Sequence, residues 1–207
     1  MNAHTQLLMI EGPAGQLELA LDEPVGTPQG VAVVAHPHPL FGGTMTNKVV
    51  QTLARACVQS GWRTVRFNFR GVGRSEGEHD NGLGELDDLL AVVQSQAPSG
   101  PLCLAGFSFG AFVTSHALAR LHLSREVRRV ALVGTAASRF SVAPVAPELH
   151  ERTLVVHGET DDTVPLAAVM DWARPQHLPV TVVPGVAHFF HGQLPLLKAL
   201  VLRHLKD

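Results

Sequence analysis

Several things are scarce in this chain, and each scarcity removes a class of protein. Only 2 of the 207 residues are cysteine, too few for the disulfide framework of a small secreted domain. Cys57 falls in a helical stretch and Cys103 in a strand-like one, so both read as reduced core thiols suited to a reducing cytoplasm. No apolar run approaches the ~20 residues of a membrane helix. The start, Met1-Asn2-Ala3-His4-Thr5-Gln6, lacks a basic segment followed by a long apolar core, and the expectation is that no signal peptide is present. Charge is also sparse, at 16% of residues with a formal net charge of −2. Neither nucleic acid nor an anionic membrane is therefore an expected partner, because both call for concentrated Lys and Arg. The short basic cluster Arg125, Arg128 and Arg129 reads as a solvated helix end.

Hydrophobic residues make up 45% of the chain, enough for a sizeable core in one domain spanning residues 1–207. No internal repeat, low-complexity tract or linker marks a second domain. Short apolar runs at 7–10 and 16–21, around Gly12-Pro13-Ala14-Gly15, read as an antiparallel hairpin. Continuous apolar runs follow at 31–35, 64–69, 102–106, 130–134, 154–157 and 180–183. Unbroken apolarity implies strands covered on both faces, as in a parallel sheet. Amphipathic stretches at 47–60, 83–96, 111–121, 166–174 and 193–205 alternate with them, and right-handed crossovers place these helices on both faces. The expected fold is a three-layer α/β arrangement of about eight mostly parallel strands with an antiparallel N-terminal edge. The irregular stretch 136–147 is too short for a lid domain.

Chemistry enters at Gly106-Phe107-Ser108-Phe109-Gly110, which lies between a strand-like run and a helix-like one. Such a turn holds the serine in strained backbone angles, and its two glycines let strand and helix approach closely. A serine hydroxyl needs an adjacent base, and the base needs an acid to fix its tautomer. Both follow in order. Gly158-Glu159-Thr160-Asp161-Asp162-Thr163-Val164-Pro165 comes after the strand at 154–157, and Gly185-Val186-Ala187-His188 comes after the strand at 180–183. Ser108, one of the two aspartates and His188 thus stand beyond the carboxyl ends of three strands, where ligands gather in open α/β sheets. The aspartate not used as the acid reads as a start signal for the next helix.

An acyl-transfer reaction also needs donors for the oxyanion. Phe109 supplies one backbone N–H, and a second comes from the loop after the third strand. In His36-Pro37-His38-Pro39-Leu40-Phe41-Gly42-Gly43 the prolines have no N–H, which leaves His38, Leu40 or Phe41. The pair His36 and His38, with His157 and His188, invites a metal reading, but no metal-ligand spacing accompanies it. No metal and no cofactor are expected, and His36 and His157 read as supports for their loops. Phe41, Phe107, Phe109, Phe140, Phe189 and Phe190 are candidates for an apolar pocket.

His157-Gly158-Glu159-Thr160-Asp161 through Pro165, followed by Gly185-Val186-Ala187-His188, resembles the C-terminal half of the α/β-hydrolase superfamily, and the likeness extends over nearly the whole chain. The segments at 35–45 and 66–77 are similar to those of small lidless bacterial hydrolases, related in layout to dienelactone hydrolases. Those lactonases carry cysteine where this chain has Ser108. The resemblance implies an α/β-hydrolase fold, Asp161 as the acid, and His38 as the second oxyanion donor with Leu40 next. It implies a serine hydrolase acting on a small, short-acyl ester. Thioesters, lactones, acyl transfer to another alcohol, and a non-catalytic small-molecule-binding protein on the same fold are the competing readings.

Overall fold

The computed structural model describes residues 5–206; the expectation about a leader falls largely on residues 1–4 and lies outside the described part. Eight strands form one sheet in the order β1-β2-β4-β3-β5-β6-β7-β8. Strands β1 (Gln6–Gly12) and β2 (Gly15–Asp22) make the expected hairpin, and β2 also pairs antiparallel with β4 (Arg63–Phe67). From there β3 (Val31–Ala35), β5 (Leu102–Phe107), β6 (Val127–Val133), β7 (Thr153–Gly158) and β8 (Val180–Val183) run parallel. The chain winds from β3 to β4 in one direction and then reverses to β5. The carboxyl ends of β3 and β5 therefore flank a topological switch point.

Among the described residues, five α-helices cover the two faces. Helix α1 (Lys48–Gln59) and α5 (Leu194–Lys206) bury Val49, Val50, Leu53, Leu197 and Val201 against one face. Helices α2 (Leu83–Gln96), α3 (Phe109–Leu121) and α4 (Leu166–Ala173) bury Leu89, Val93, Val113, Ala117 and Val169 against the other. Two of these helices have clear start signals. Asn47 Oδ1 accepts from the amides of Val49 and Val50 at the head of α1. The Glu85 carboxylate reaches back to accept from Gly82 and Asp80 at the head of α2. Both devices satisfy N–H groups that have no intrahelical acceptor. Among the described residues no helix is long and apolar enough to cross a membrane. Cys57 and Cys103 are free and buried.

Where element bounds depart from expectation, polar groups explain the shift. Strand β4 ends at Phe67: the Asn68 amide still bonds Glu18 O in register with β2, but the next amide, that of Phe69, leaves the ladder and donates to the His36 ring. The Arg125–Arg129 cluster is not a helix end. Arg128 and Arg129 lie on β6, and the Arg129 guanidinium donates to His204 O in the last turn of α5.

The antiparallel edge is tied to the loop after β3 by buried charge. Arg66 pairs with Asp22 at 2.9 Å and donates to Met45 O, while Asn68 joins the Met45 amide to Glu18. Removing one partner of such a pair strands the other charge away from water. Arg66→Ala should therefore lower unfolding free energy by about 3–5 kcal/mol, whereas an Arg66→Met/Asp22→Leu double variant should recover most of it. Urea denaturation midpoints of the two variants check this.

Candidate active site

Ser108 occupies the single residue between β5 and α3, with φ 57° and ψ −116°. A non-glycine residue in that region is strained, and its neighbours show why it stays there. A Cβ on Gly106 would run into the Gly110 carbonyl, and one on Gly110 would meet the carbonyl oxygens of Ala35 and His36 at 2.5 Å. Only glycines let the first turn of α3 pass over the end of β3. Ser108 N–H donates to Val133 O at 2.8 Å, and Ser108 O accepts from Ala111 and Phe112. The side chain is thereby left to face the cleft.

His188 Nε2 lies 3.0 Å from Ser108 Oγ, and His188 Nδ1 lies 2.6 Å from Asp161 Oδ2. Because the carboxylate can only accept, Nδ1 carries the hydrogen and Nε2 is left to accept from the serine. Asp161 Oδ1 accepts from the amides of Thr163 and Val164. Burial works to raise the Asp161 pKa, but the hydrogen bonds from His188 and Val164 and the nearby imidazoles outweigh it and hold the carboxyl below its ordinary value. His157 is 0% exposed and donates through Nε2 to Val164 O at 2.9 Å, clamping the same loop. The two loops close on each other at Gly158, where a Cβ would collide with Val186 O. Gly134 leaves room for the His188 ring, since a Cβ there would come within 3.2 Å of its Cε1.

The loop after β3 folds tightly. His38 O accepts from both Phe41 and Gly43, and the Leu40 amide turns back to His38 Nδ1 at 3.3 Å. Of the three candidate donors, Leu40 and Phe41 are thus engaged locally, while His38 N–H has no acceptor among the described residues. This corrects the Leu40 expectation: its amide is occupied, and its side chain is 69% exposed outside the pocket wall. The orientation of the His38 amide is set by His36, whose Nδ1–H donates to Pro37 O at 2.6 Å while Nε2 accepts from Phe69 N–H. Pro37 O and His38 N–H belong to one trans peptide and point opposite ways, so holding the oxygen turns the N–H away from His36.

The cleft encloses about 340 Å³. Phe41, Phe109, Phe140 and Phe189 line it beside Ser108 and His188. Phe107 does not. Strand alternation turns its ring toward the α1 and α5 layer, fully buried, where it packs 4.9 Å from the His188 ring. Phe190 is likewise core. Asp162 is no helix cap: α4 begins after Pro165 without a side-chain cap, and Asp162 lies exposed with its carboxylate against Thr163 Oγ1. Asn47 and Arg139 also line the cleft. Asn47 was legible only as a helix start, and nothing in the local pattern singles out Arg139.

The sequence model of the α/β hydrolase fold family matches residues 40–148. A lidless α/β serine hydrolase from Xanthomonas campestris is 38% identical, covering 100% of this chain and 95% of its own, with a TM-score of 0.88. An α/β serine hydrolase homologue from Coxiella burnetii is 39% identical over 97% of each chain, with a TM-score of 0.82. An uncharacterised protein of Rickettsia prowazekii is 28% identical, covering 88% of this chain and 81% of its own. The chain belongs to the α/β-hydrolase fold family, and hydrolysis is the class of reaction that its serine-hydrolase relatives support.

Burial pushes the His36 pKa down to about 4, against the opposing pull of the Pro37 carbonyl and with a smaller push from His38. A histidine depressed in the folded state takes up its proton more readily when unfolded. Its stabilising effect is complete above its ordinary value near 6.5 and is lost as pH falls toward 4. His36 alone should remove about 3 kcal/mol across that window. Urea unfolding at a series of pH values should show this slope in the native protein and a flatter one in His36→Gln.

Proposed function

We propose that the protein hydrolyses small carboxylic esters with short acyl chains by two-step acyl transfer. The observation that carries this reading is the unbroken hydrogen-bond chain from Ser108 through His188 to Asp161. Ser108 Oγ attacks the ester carbonyl as His188 Nε2 takes its proton, and Asp161 stabilises the imidazolium. The charged carbonyl oxygen is held by the N–H groups of Phe109 and His38. When the bond to the alcohol breaks, His188 returns the proton to the departing oxygen. Water then adds to the acyl-enzyme by the same path in reverse, releasing the acid and restoring Ser108.

Substrate size follows from the wall. Phe41 and Phe189 stand at the mouth of the cleft at 73% and 43% exposure, so a long acyl chain would soon run into solvent. Buried methylenes contribute about 0.8 kcal/mol each, exposed ones almost nothing. Thioesters and lactones are open to the same machinery, and a substrate series sorts them.

Ser108→Ala should keep the native melting temperature and lose at least about a thousandfold in kcat, because the triad works as a unit. Asp161→Asn should lower kcat by on the order of 10³–10⁴ through the wrong histidine tautomer, while Asp162→Asn should change it only a few-fold. Steady-state kinetics on a p-nitrophenyl ester check all three, and the opposite ranking of the aspartates would transfer the acid role to Asp162.

Across p-nitrophenyl esters of increasing acyl length, kcat/KM should peak at short chains and then flatten or fall. A steady climb to long chains would overturn the open-cleft reading.

A further inference from the structure

Arg139 stands in the cleft wall between Ala136 and Phe140, just beyond β6. Its guanidinium lies over the Phe41 ring at 5.8 Å from the centroid. Attraction of a cation to a ring face takes up no hydrogen-bond acceptor, so the guanidinium N–H groups stay available to bind. Elsewhere, arginines that meet a carboxylate do so directly, as Arg63 with Glu23, Arg66 with Asp22, Arg70 with Asp88, Arg128 with Glu126 and Arg174 with Asp171. No carboxylate among the described residues pairs with Arg139, and no Asp or Glu lines the cleft.

Two further features carry the same sign. Asn47 lines the cleft with its Oδ1 already committed to the Val49 and Val50 amides, so the group it has left is a donor. It stands at the N-terminus of the 12-residue α1, where the helix dipole adds positive potential. The buried acids around the cleft are already engaged: Asp161 by His188 and the Thr163 and Val164 amides, and Glu85 by the Gly82 and Asp80 amides, with His79 at 2.7 Å. The cleft thus combines an aromatic wall and the reacting serine with an exposed cation at its wall that no carboxylate neutralises.

Resting on Ser108 as the nucleophile, we infer that the cleft selects esters bearing a free carboxylate, with Arg139 as the residue that sets this specificity. Such substrates are half-esters of short dicarboxylic acids, or esters whose alcohol carries an acid group. Arg139 binds the carboxylate in a charge-assisted pair while the phenylalanines cover the intervening methylenes or ring.

The test compares kcat/KM for phenyl butyrate with that for glutaric acid monophenyl ester, which places the carboxylate on the acyl side, and for 4-carboxyphenyl butyrate, which places it on the leaving group. At low salt the native protein should favour one of the acid esters on the order of tenfold over the neutral one. That ratio should fall toward one in Arg139→Gln and with added salt, and below one in Arg139→Glu. Equal rates for acid and neutral esters, or a preference that survives in Arg139→Gln, would overturn the inference. Labelling by a fluorophosphonate keeps the two readings apart: no label on Ser108 defeats the nucleophile assignment, whereas a labelled, active protein without charge preference defeats only the role of Arg139.

Discussion

The contact on which the site depends is the passage of the first turn of α3 over the carbonyl end of β3. Gly110 lies so close to the Ala35 and His36 carbonyls that no side chain fits between them. That closeness forces the chain to turn from strand to helix within one residue, and Ser108 absorbs the whole change in a conformation it would not otherwise choose. It also decides where the neighbouring loop can go. Blocked by α3, the chain after β3 must fold back on itself, and it does so around His38 O, which collects two amides. The strained Ser108 and the loop that carries the His38 amide are therefore consequences of one packing constraint.

Around that constraint the buried polar groups form linked anchors. His36 bridges the Pro37 carbonyl to the Phe69 amide, Asn68 bridges the Met45 amide to Glu18, and Arg66 reaches from Met45 O to Asp22. The loop after β3 is thus fastened to the β4 end and through it to β2. On the other side of the switch point, His157 and the Thr163 and Val164 amides fix the loop that carries Asp161. Each buried donor or acceptor that is paired avoids a penalty of about 1–3 kcal/mol, so the same bonds that stabilise the loops also hold the side chain of Asp161 and the His38 amide in place.

Much of this was legible in the sequence because the signals were local. Continuous apolar runs marked the parallel strands, and the spacing of Gly106, Ser108 and Gly110 marked the turn. What was hidden depends on direction. A strand buried on both faces gives no alternation to say which way Phe107 points, and it points away from the cleft. The amide of Leu40 is an equal candidate on paper and is engaged only because the His38 ring turns toward it. Asp161 and Asp162 are adjacent and chemically alike, and only the loop's curvature turns one toward His188 and leaves the other exposed. Arg139 gave no signal, since an arginine next to a phenylalanine is ordinary until the missing carboxylate is known.

The histidines show how hydrogen bonding, more than residue type, assigns chemical roles. His36 has both ring nitrogens committed to backbone groups, one donating and one accepting, and burial holds its pKa near 4. His157 is also kept below its ordinary value, by burial first, and its donating nitrogen is taken by Val164 O. His38 turns one nitrogen to the Leu40 amide. Burial, then His79, then Arg139 lower its pKa, with Glu85 opposing. Among the described histidines, His188 alone combines a carboxylate on one nitrogen with a serine hydroxyl on the other. That pairing lets it accept a proton and have the resulting charge stabilised at once. What each histidine can do is set by what its second nitrogen faces, and the turn at Ser108 decides which of them faces a hydroxyl.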